Sequence, residues 1–402
     1  MNNIKLDFPI LDKKIRDKAI TYLDSAASTQ KPKQVINSIS EFLENSYENV
    51  HRGMNSLSID ATDLYEKSRD VAKSFINSNS TNEIIFTRGA TDSINIIANS
   101  LAEHLKEGDK IVVTELEHHS NYLPWMNLCK KLGLELKIIP ISKDGILSED
   151  DIINNCDDST KVLSLTHMSN VTGQILDIKK IKKSINKDTY VAVDGCQSIA
   201  HLKIDVKDLD CDFYSFSSHK LYGPSGIGIM YGKEDILNKL NPPTLGGGMI
   251  NEVSSNDFSY AMLPNKFEPG TPSIEAAIGF KTAMEYLNNN NYQDYFLNEK
   301  KLRSTLIKAL REFKEVDIYG SNEDGNATSI VSFNIKNQNF NDIATFLDQY
   351  GIMIRGGHHC CQPFMKKLGI PGSCRVSFGI YNDLNDIDHF IDSLKKTLKL
   401  LQ

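Results

Sequence analysis

The chain predicts an α/β fold: a large domain on a mostly parallel sheet with helices on both faces, plus a smaller α+β domain. Three observations point there. Apolar runs of strand length alternate with helix-spaced segments from Tyr22 to about Met262, the pattern of strands joined by crossover helices. These runs close on polar residues, Thr87, Thr114, His167 and Asp194, and ligands in such sheets bind at the strand C-terminal ends. Past the asparagines at 288–291 the composition changes and the alternation stops. The large domain is placed at residues 22–287, and the small one at 1–21 together with 288–402.

Taken in order, residues 83–87 read as a strand, and 91–104 as a helix with Ile94, Ile97, Ala98 and Leu101 on one face. Strands follow at 110–114, 136–141, 162–166 and 190–193, with a helical pattern at 177–185 among them. Two more strands, 212–216 and 227–231, flank a glycine-rich turn that is expected at the edge of a sheet. Residues 246–272 have little periodicity and read as a long loop leading into a helix at 273–287. The small domain holds a long amphipathic helix, strands at 329–335 and 375–378, and a helix from Asp383.

With 402 residues and 40% apolar content, the chain can bury a sizeable core. A net charge of -7 argues against a nucleic-acid binder. Seven cysteines at irregular spacing suggest reduced thiols and a cytoplasmic protein, not a disulfide framework. Residues 1–14 are not a signal peptide, and no stretch has the length of a membrane span.

The most informative segment runs from Ser218 to Gly228, with Lys220 between His219 and a glycine-rich turn. An ordinary hairpin with a surface lysine has the same spacing. A lysine that bonds covalently to a carbonyl cofactor, however, must be held, partly desolvated and closely approached by backbone. Asp194 ends an apolar strand, where a carboxylate is expensive without a partner. Beside such a lysine it gains one in the pyridinium nitrogen of pyridoxal phosphate, and Gln197 is near enough in sequence to reach the phenolic oxygen. Gly89-Ala90-Thr91 opens a helix directly after a strand, a place that favours phosphate, and Ser217 and His219 can complete the cup. His118, at a strand end, can stack on a ring and move protons.

His358-His359-Cys360-Cys361 invites a metal reading, but adjacent side chains diverge and zinc ligands are spaced by two to four residues. No metal is expected. A reactive thiol is the better reading, with Arg355-Gly356-Gly357 as a mobile hinge and the histidines lowering the thiol pKa. Arg375, fourteen residues past Cys361, begins a strand and is either a surface charge or a carboxylate clamp.

Together these motifs resemble the Suf-type (group II) cysteine desulfurases that use pyridoxal phosphate, within the class V aminotransferase family. The landmarks run nearly end to end: Leu23-Asp24-Ser25-Ala26-Ala27-Ser28, Val50-His51-Arg52-Gly53, Phe86-Thr87-Arg88-Gly89-Ala90-Thr91, Glu117-His118-His119-Ser120-Asn121 with Pro124-Trp125, Ser169-Asn170-Val171-Thr172-Gly173, Val193-Asp194-Gly195-Cys196-Gln197, the Lys220 motif, Phe267-Glu268-Pro269-Gly270-Thr271-Pro272, and Arg355-Gly356-Gly357-His358-His359-Cys360. The resemblance implies a type I fold for such enzymes with a seven-stranded sheet. It implies Lys220 as the covalent attachment point and proton shuttle, Asp194 and Gln197 on the ring, His118 stacked over it, and Thr91, Ser217 and His219 on the phosphate. Thr271 would reach the phosphate of the partner subunit in a homodimer. Asn170 and Arg375 would clamp the carboxylate of L-cysteine, Cys360 would carry the persulfide, and Arg355 would stand beside it. The sulfur would pass to an acceptor in iron–sulfur cluster assembly, a small zinc-bound protein being favoured over a SufE-type one. A selenocysteine lyase or an aminotransferase is the alternative. Three residues depart from the family pattern: Ser218 for a frequent glycine, Ala90 for a frequent threonine, and Cys361 for a common alanine. The last sets a second thiol beside the nucleophile.

Overall fold

In a computed structural model describing residues 4–313, 315–320 and 325–401, seven strands form one sheet. They are β1 (Ile84–Thr87), β2 (Lys110–Thr114), β3 (Glu135–Ile139), β4 (Thr160–Thr166), β5 (Tyr190–Asp194), β6 (Phe213–Ser217) and β7 (Gly228–Gly232). Their spatial order is β1-β7-β6-β5-β4-β2-β3. Six run parallel, and β7 runs antiparallel to both of its neighbours. The turn carrying Lys220 joins β6 to β7 inside the sheet, which corrects the expectation of an edge position.

Helices bury both faces, so the central strands read as continuous apolar runs. Successive residues still point to opposite sides: Ile111 and Val113 pack in one core layer, Val112 in the other. The first layer holds α3 (Ala90–Leu101) and α4 (Leu123–Leu132), whose Ile94, Ile97, Trp125 and Leu128 are buried against the sheet. The second holds α6 (Ile274–Asn289), after α5 (Ile178–Ser184) on the same side. Each such aliphatic side chain contributes about 1.5–3 kcal/mol when fully buried. α1 (Lys33–Asn45) and α2 (Ser56–Phe75) pack on α6.

The segment read as a long loop contains a hairpin, β8 (Ile250–Val253) and β9 (Phe258–Tyr260), closed by a bond from Ser254 N–H to Asp257 O at 2.8 Å. Its strands are largely exposed, so they lack the apolar pattern that marks a core strand.

A second, antiparallel sheet comprises β10 (Val316–Tyr319), β11 (Ile330–Ile335), β12 (Arg355–Gly357) and β13 (Ser373–Ser377), in the order β10-β11-β13-β12. α7 (Tyr292–Arg311), α8 (Phe340–Asp348) and α10 (Leu384–Leu401) bury its core, while the short α9 (Gln362–Leu368) follows the two adjacent cysteines. Arg355-Gly356-Gly357 is therefore a paired strand, not a mobile hinge. Gly356 serves close packing: a Cβ there would lie 3.0 Å from Phe340 O and Asn341 Oδ1.

Two features tie the sheets together. Residues 23–25 run beside β13, with Ser377 N–H bonded to Leu23 O and Asp24 bridged to Ser377. Phe8 packs edge-on among Tyr222, Tyr286 and Tyr381. Among the described residues no helix is long and apolar enough to cross a membrane.

Candidate active site

A cavity of about 180 Å³ opens where the C-terminal ends of the parallel strands meet the second sheet. Lys220 lines it from the turn after β6. The turn is held through one atom. His219 O accepts from Thr29 N–H at 3.0 Å and from Ser28 Oγ, Thr29 Oγ1 and Lys31 Nζ at 3.1 Å each. Tyr222 N–H donates to Thr29 Oγ1 at 2.7 Å, which supports the left-handed Tyr222, φ 60°. Burial pulls the Lys31 ammonium down to about 8. Lys31 and Thr29 carry no signal in the local sequence, because they meet the turn only through the fold.

On the same wall, Ser217 Oγ accepts from Ala90 N–H at 2.8 Å, at the first residue of α3. Gly89 precedes it with φ 144°, and a Cβ on Gly228 would lie 2.6 Å from Gly89 Cα. Both glycines are needed for this close approach. Thr91, Ser217 and His219 all line the cavity beside that helix start. Asp194 is buried at the end of β5, and its Oδ1 accepts from Cys196 N–H at 2.9 Å. Gln197 Nε2 donates to Ala26 O at 2.9 Å. These two side chains stand behind Cys196 and Ala26, which line the cavity.

His118 lines the cavity as well. Its Nδ1 accepts from Ser120 N–H at 3.1 Å, which leaves the ring proton on Nε2. Burial, and then Lys220, pulls His118 down to about 3, so the ring is neutral at physiological pH. Glu117, which opens the 117–121 motif and has no role assigned from sequence, is fully buried and accepts from Thr114 Oγ1 at 2.7 Å, Asn121 Nδ2 at 2.6 Å and Thr166 N–H at 3.1 Å. Burial pushes its carboxyl up to about 8.

The second sheet supplies the cationic wall. Arg375 and Arg355 are register partners on β13 and β12, and both line the cavity. Arg375 sits mid-strand and is 1% exposed. Its Nη2 donates to Asp24 Oδ1 at 2.8 Å and its Nη1 to Asn170 O at 3.1 Å, while Nε has no partner among the described residues. His359 lines the cavity too, with Nε2 3.0 Å from Ser373 O and a buried Nδ1 without a partner among the described residues. Burial and then Arg375 draw His359 down to about 2. Asn170 spends its Nδ2 on His359 O at 2.8 Å, so it fastens the loop as well as facing the cavity.

The two adjacent cysteines differ sharply. Cys361 is 0% exposed, its Sγ points to Glu115 O at 3.7 Å, and burial pushes its thiol far above the ordinary range. Cys360 is partly exposed on a loop whose neighbour His359 borders the cavity. Thr271 lines a different groove, with Arg88, Glu268 and Pro269.

The model of the aminotransferase class-V family matches residues 21–390. A probable cysteine desulfurase of Staphylococcus epidermidis is 44% identical over 393 residues, covering 97% of this chain and 95% of its own length. Among solved structures, the apo cysteine desulfurase of Thermococcus onnurineus NA1 superposes with a TM-score of 0.93 at 36% identity, covering 99% of this chain and 98% of that one. The cysteine desulfurase CsdA of Escherichia coli, in an S-sulfonic acid form, gives 0.91 at 33%, covering 100% and 99%. Sequence and fold agree along nearly the whole length, and the chain belongs to the class-V aminotransferase family, among its cysteine desulfurases.

Proposed function

We propose that this enzyme converts L-cysteine to L-alanine with pyridoxal phosphate as cofactor and lodges the sulfur on Cys360 as a persulfide. The observation that carries this reading is one cavity bounded by Lys220 on one wall and by the loop of a partly exposed cysteine on the other.

The residues present fit the cofactor. Lys220 faces the cavity for its aldehyde. The start of α3, with Thr91, Ser217 and His219 around it and a glycine cradle beneath, suits the phosphate. Asp194 suits the ring nitrogen, Gln197 the phenolic oxygen, and the neutral His118 a stacked position. Thr271 would serve the phosphate of the partner protomer in a homodimer, a reading supported by its place outside its own cavity.

When bound, pyridoxal phosphate supplies a sink for electrons released at the substrate Cα. The chain's own residues supply the rest. Arg375 and Arg355, lining the cavity from β13 and β12, take the substrate carboxylate with Asn170. Lys220 accepts the Cα proton as an amine and returns it. The Cys360 thiolate attacks the substrate sulfur: the Sγ–S bond forms as Cβ–S breaks, the carbon keeps the bonding pair, and protonation there yields the methyl of alanine. Cys361, buried and held protonated, is unsuited to this step.

The finer assignment is to the Suf-type group, in the cytoplasm, supplying iron–sulfur cluster assembly through a sulfur-acceptor protein. A small zinc-bound acceptor is favoured over the SufE type on the Gln362-Pro363 sequence after the cysteines. A groove of about 910 Å³ beside the loop, lined by Leu123, Ile138 and Pro363 among others, offers room for a partner. The test is purified protein with L-cysteine and a reductant, alanine and sulfide being measured together. Equal amounts of both are expected. 3-Mercaptopyruvate in place of alanine, formed when a keto acid is added as amino acceptor, would turn the reading to amino-group transfer, and no product at all would end it.

A further inference from the structure

His359 and Cys360 are both left-handed, φ 52° and 54°. Non-glycine residues avoid that region, and two in succession need support from outside the loop. The support comes from histidines. Cys360 N–H donates to His358 Nδ1 at 3.1 Å, within the loop. Cys360 O accepts from His119 N–H at 2.8 Å, and Gln362 N–H donates to His119 Nε2 at 3.2 Å. One residue of the 118–121 turn thus grips the chain at Cys360 itself and again at Gln362, on either side of Cys361.

The ring bond does a specific task. Gln362 is the first residue of α9, where backbone N–H groups lack partners within the helix. Cys361, in the cap position, provides no side-chain bond. His119 provides the cap from another element, separated by most of the large sheet in sequence. Burial, and then His358, holds the His119 imidazole below its ordinary pKa, which keeps a lone pair on Nε2. The two rings lie 5.8 Å apart between centroids.

We infer that the His119 ring is the positioning residue for the sulfur nucleophile: by capping α9 it fixes the left-handed loop that presents Cys360. The inference rests on the proposed function for its catalytic consequence, but not for its structural one. A substitution at 119 keeps the backbone bond to Cys360 O and removes only the cap, so the ring's share can be isolated.

The test compares wild type, His119→Leu and His119→Gln, the last keeping an acceptor. Two readouts need no turnover: amide hydrogen exchange at Gln362, and alkylation of Cys360 by iodoacetamide followed by peptide mass. In His119→Leu, exchange at Gln362 should rise roughly fivefold, the scale of a lost helix cap, and the Cys360 alkylation rate should change by a similar factor. The kcat for alanine should fall with KM unchanged, and His119→Gln should recover most of each effect. Wild-type exchange and alkylation in His119→Leu would overturn the inference, as would His119→Gln behaving no better than His119→Leu. If His119→Leu fails to fold, His119→Ser is read by the same two measurements. Absence of alanine from the wild type would sink the proposed function alone, because exchange and alkylation judge the cap independently.

Discussion

The lysine turn and the cysteine loop are two short, strained connections that each carry a nucleophile, and they are built in opposite ways. The turn at 218–223 lies between two interior strands, and four donors converge on the carbonyl just before Lys220. The loop at 358–361 sits at the rim of the second sheet, its cysteine partly exposed and its backbone pinned by two histidines. The difference follows from what each nucleophile must meet. On the proposed function Lys220 acts only inside the cavity it lines, so it can be locked in a dry wall. On the same reading Cys360 must face the cavity for one step and an outside acceptor for the next, and it is presented on a partly exposed, left-handed loop that neighbouring elements hold through its backbone.

The largest expected effect breaks the locked side. Lys220→Ala should lower alanine release by about 10³-fold or more, the scale of a lost proton shuttle, with the protein still folded by circular dichroism. Turnover near the wild-type rate would remove Lys220 from the chemistry. The next effect separates the two cysteines. Cys360→Ala should keep the yellow cofactor and lose persulfide formation, read by mass spectrometry. Cys361→Ala should form persulfide at nearly the wild-type rate and lose only about 1 kcal/mol of stability, the scale of one small buried group. A persulfide found on Cys361 would reverse the assignment.

Much of this contrast was legible before the fold was known, and the limits have physical causes. Strands buried on both faces, such as 110–114 and 190–194, show as apolar runs, and Asp194 stands out because a carboxylate closes one of them. The exposed 250–260 hairpin has no such pattern and reads as loop. Gly356 reads as flexible when it is a packing glycine pressed against Phe340. Asp24, Lys31 and His119 reach their partners only through tertiary contacts, which no local periodicity encodes. In sequence only the resemblance separates Cys360 from Cys361; in the structure the two differ in burial, Cys361 being fully enclosed and Cys360 partly exposed.

A smaller effect probes how the turn is locked. Lys31→Met leaves three of the four donors on His219 O in place. It should lower the stability read from the denaturant midpoint by roughly 1.5 kcal/mol, the low end for a charged hydrogen bond. Lys31→Arg should recover part of the loss. An unchanged midpoint in Lys31→Met would mean that the hydroxyls and Thr29 N–H suffice.

The smallest effect tests whether the locked wall is dry. His167 is buried behind Asp194, with its N–H bonded to Asp194 O at 3.0 Å and its Nδ1 3.0 Å from Tyr214 Oη. Burial pulls it down to about 4. Its folded pKa is thus depressed, so the unfolded chain binds the proton more readily. The stability associated with the neutral ring is present above the unfolded value of about 6.5, and is lost as pH falls from there through 4. Glu117, pushed up to about 8, contributes with the opposite sign, so a pH scan of the wild type alone mixes the two. The difference between wild type and His167→Gln isolates the histidine, because glutamine does not titrate. That difference should shift against the wild type by about 1 kcal/mol between pH 7 and pH 5.5. A constant difference across the range would show that water or a counter-charge reaches His167, and the wall beneath the lysine turn would then be no drier than the cysteine loop.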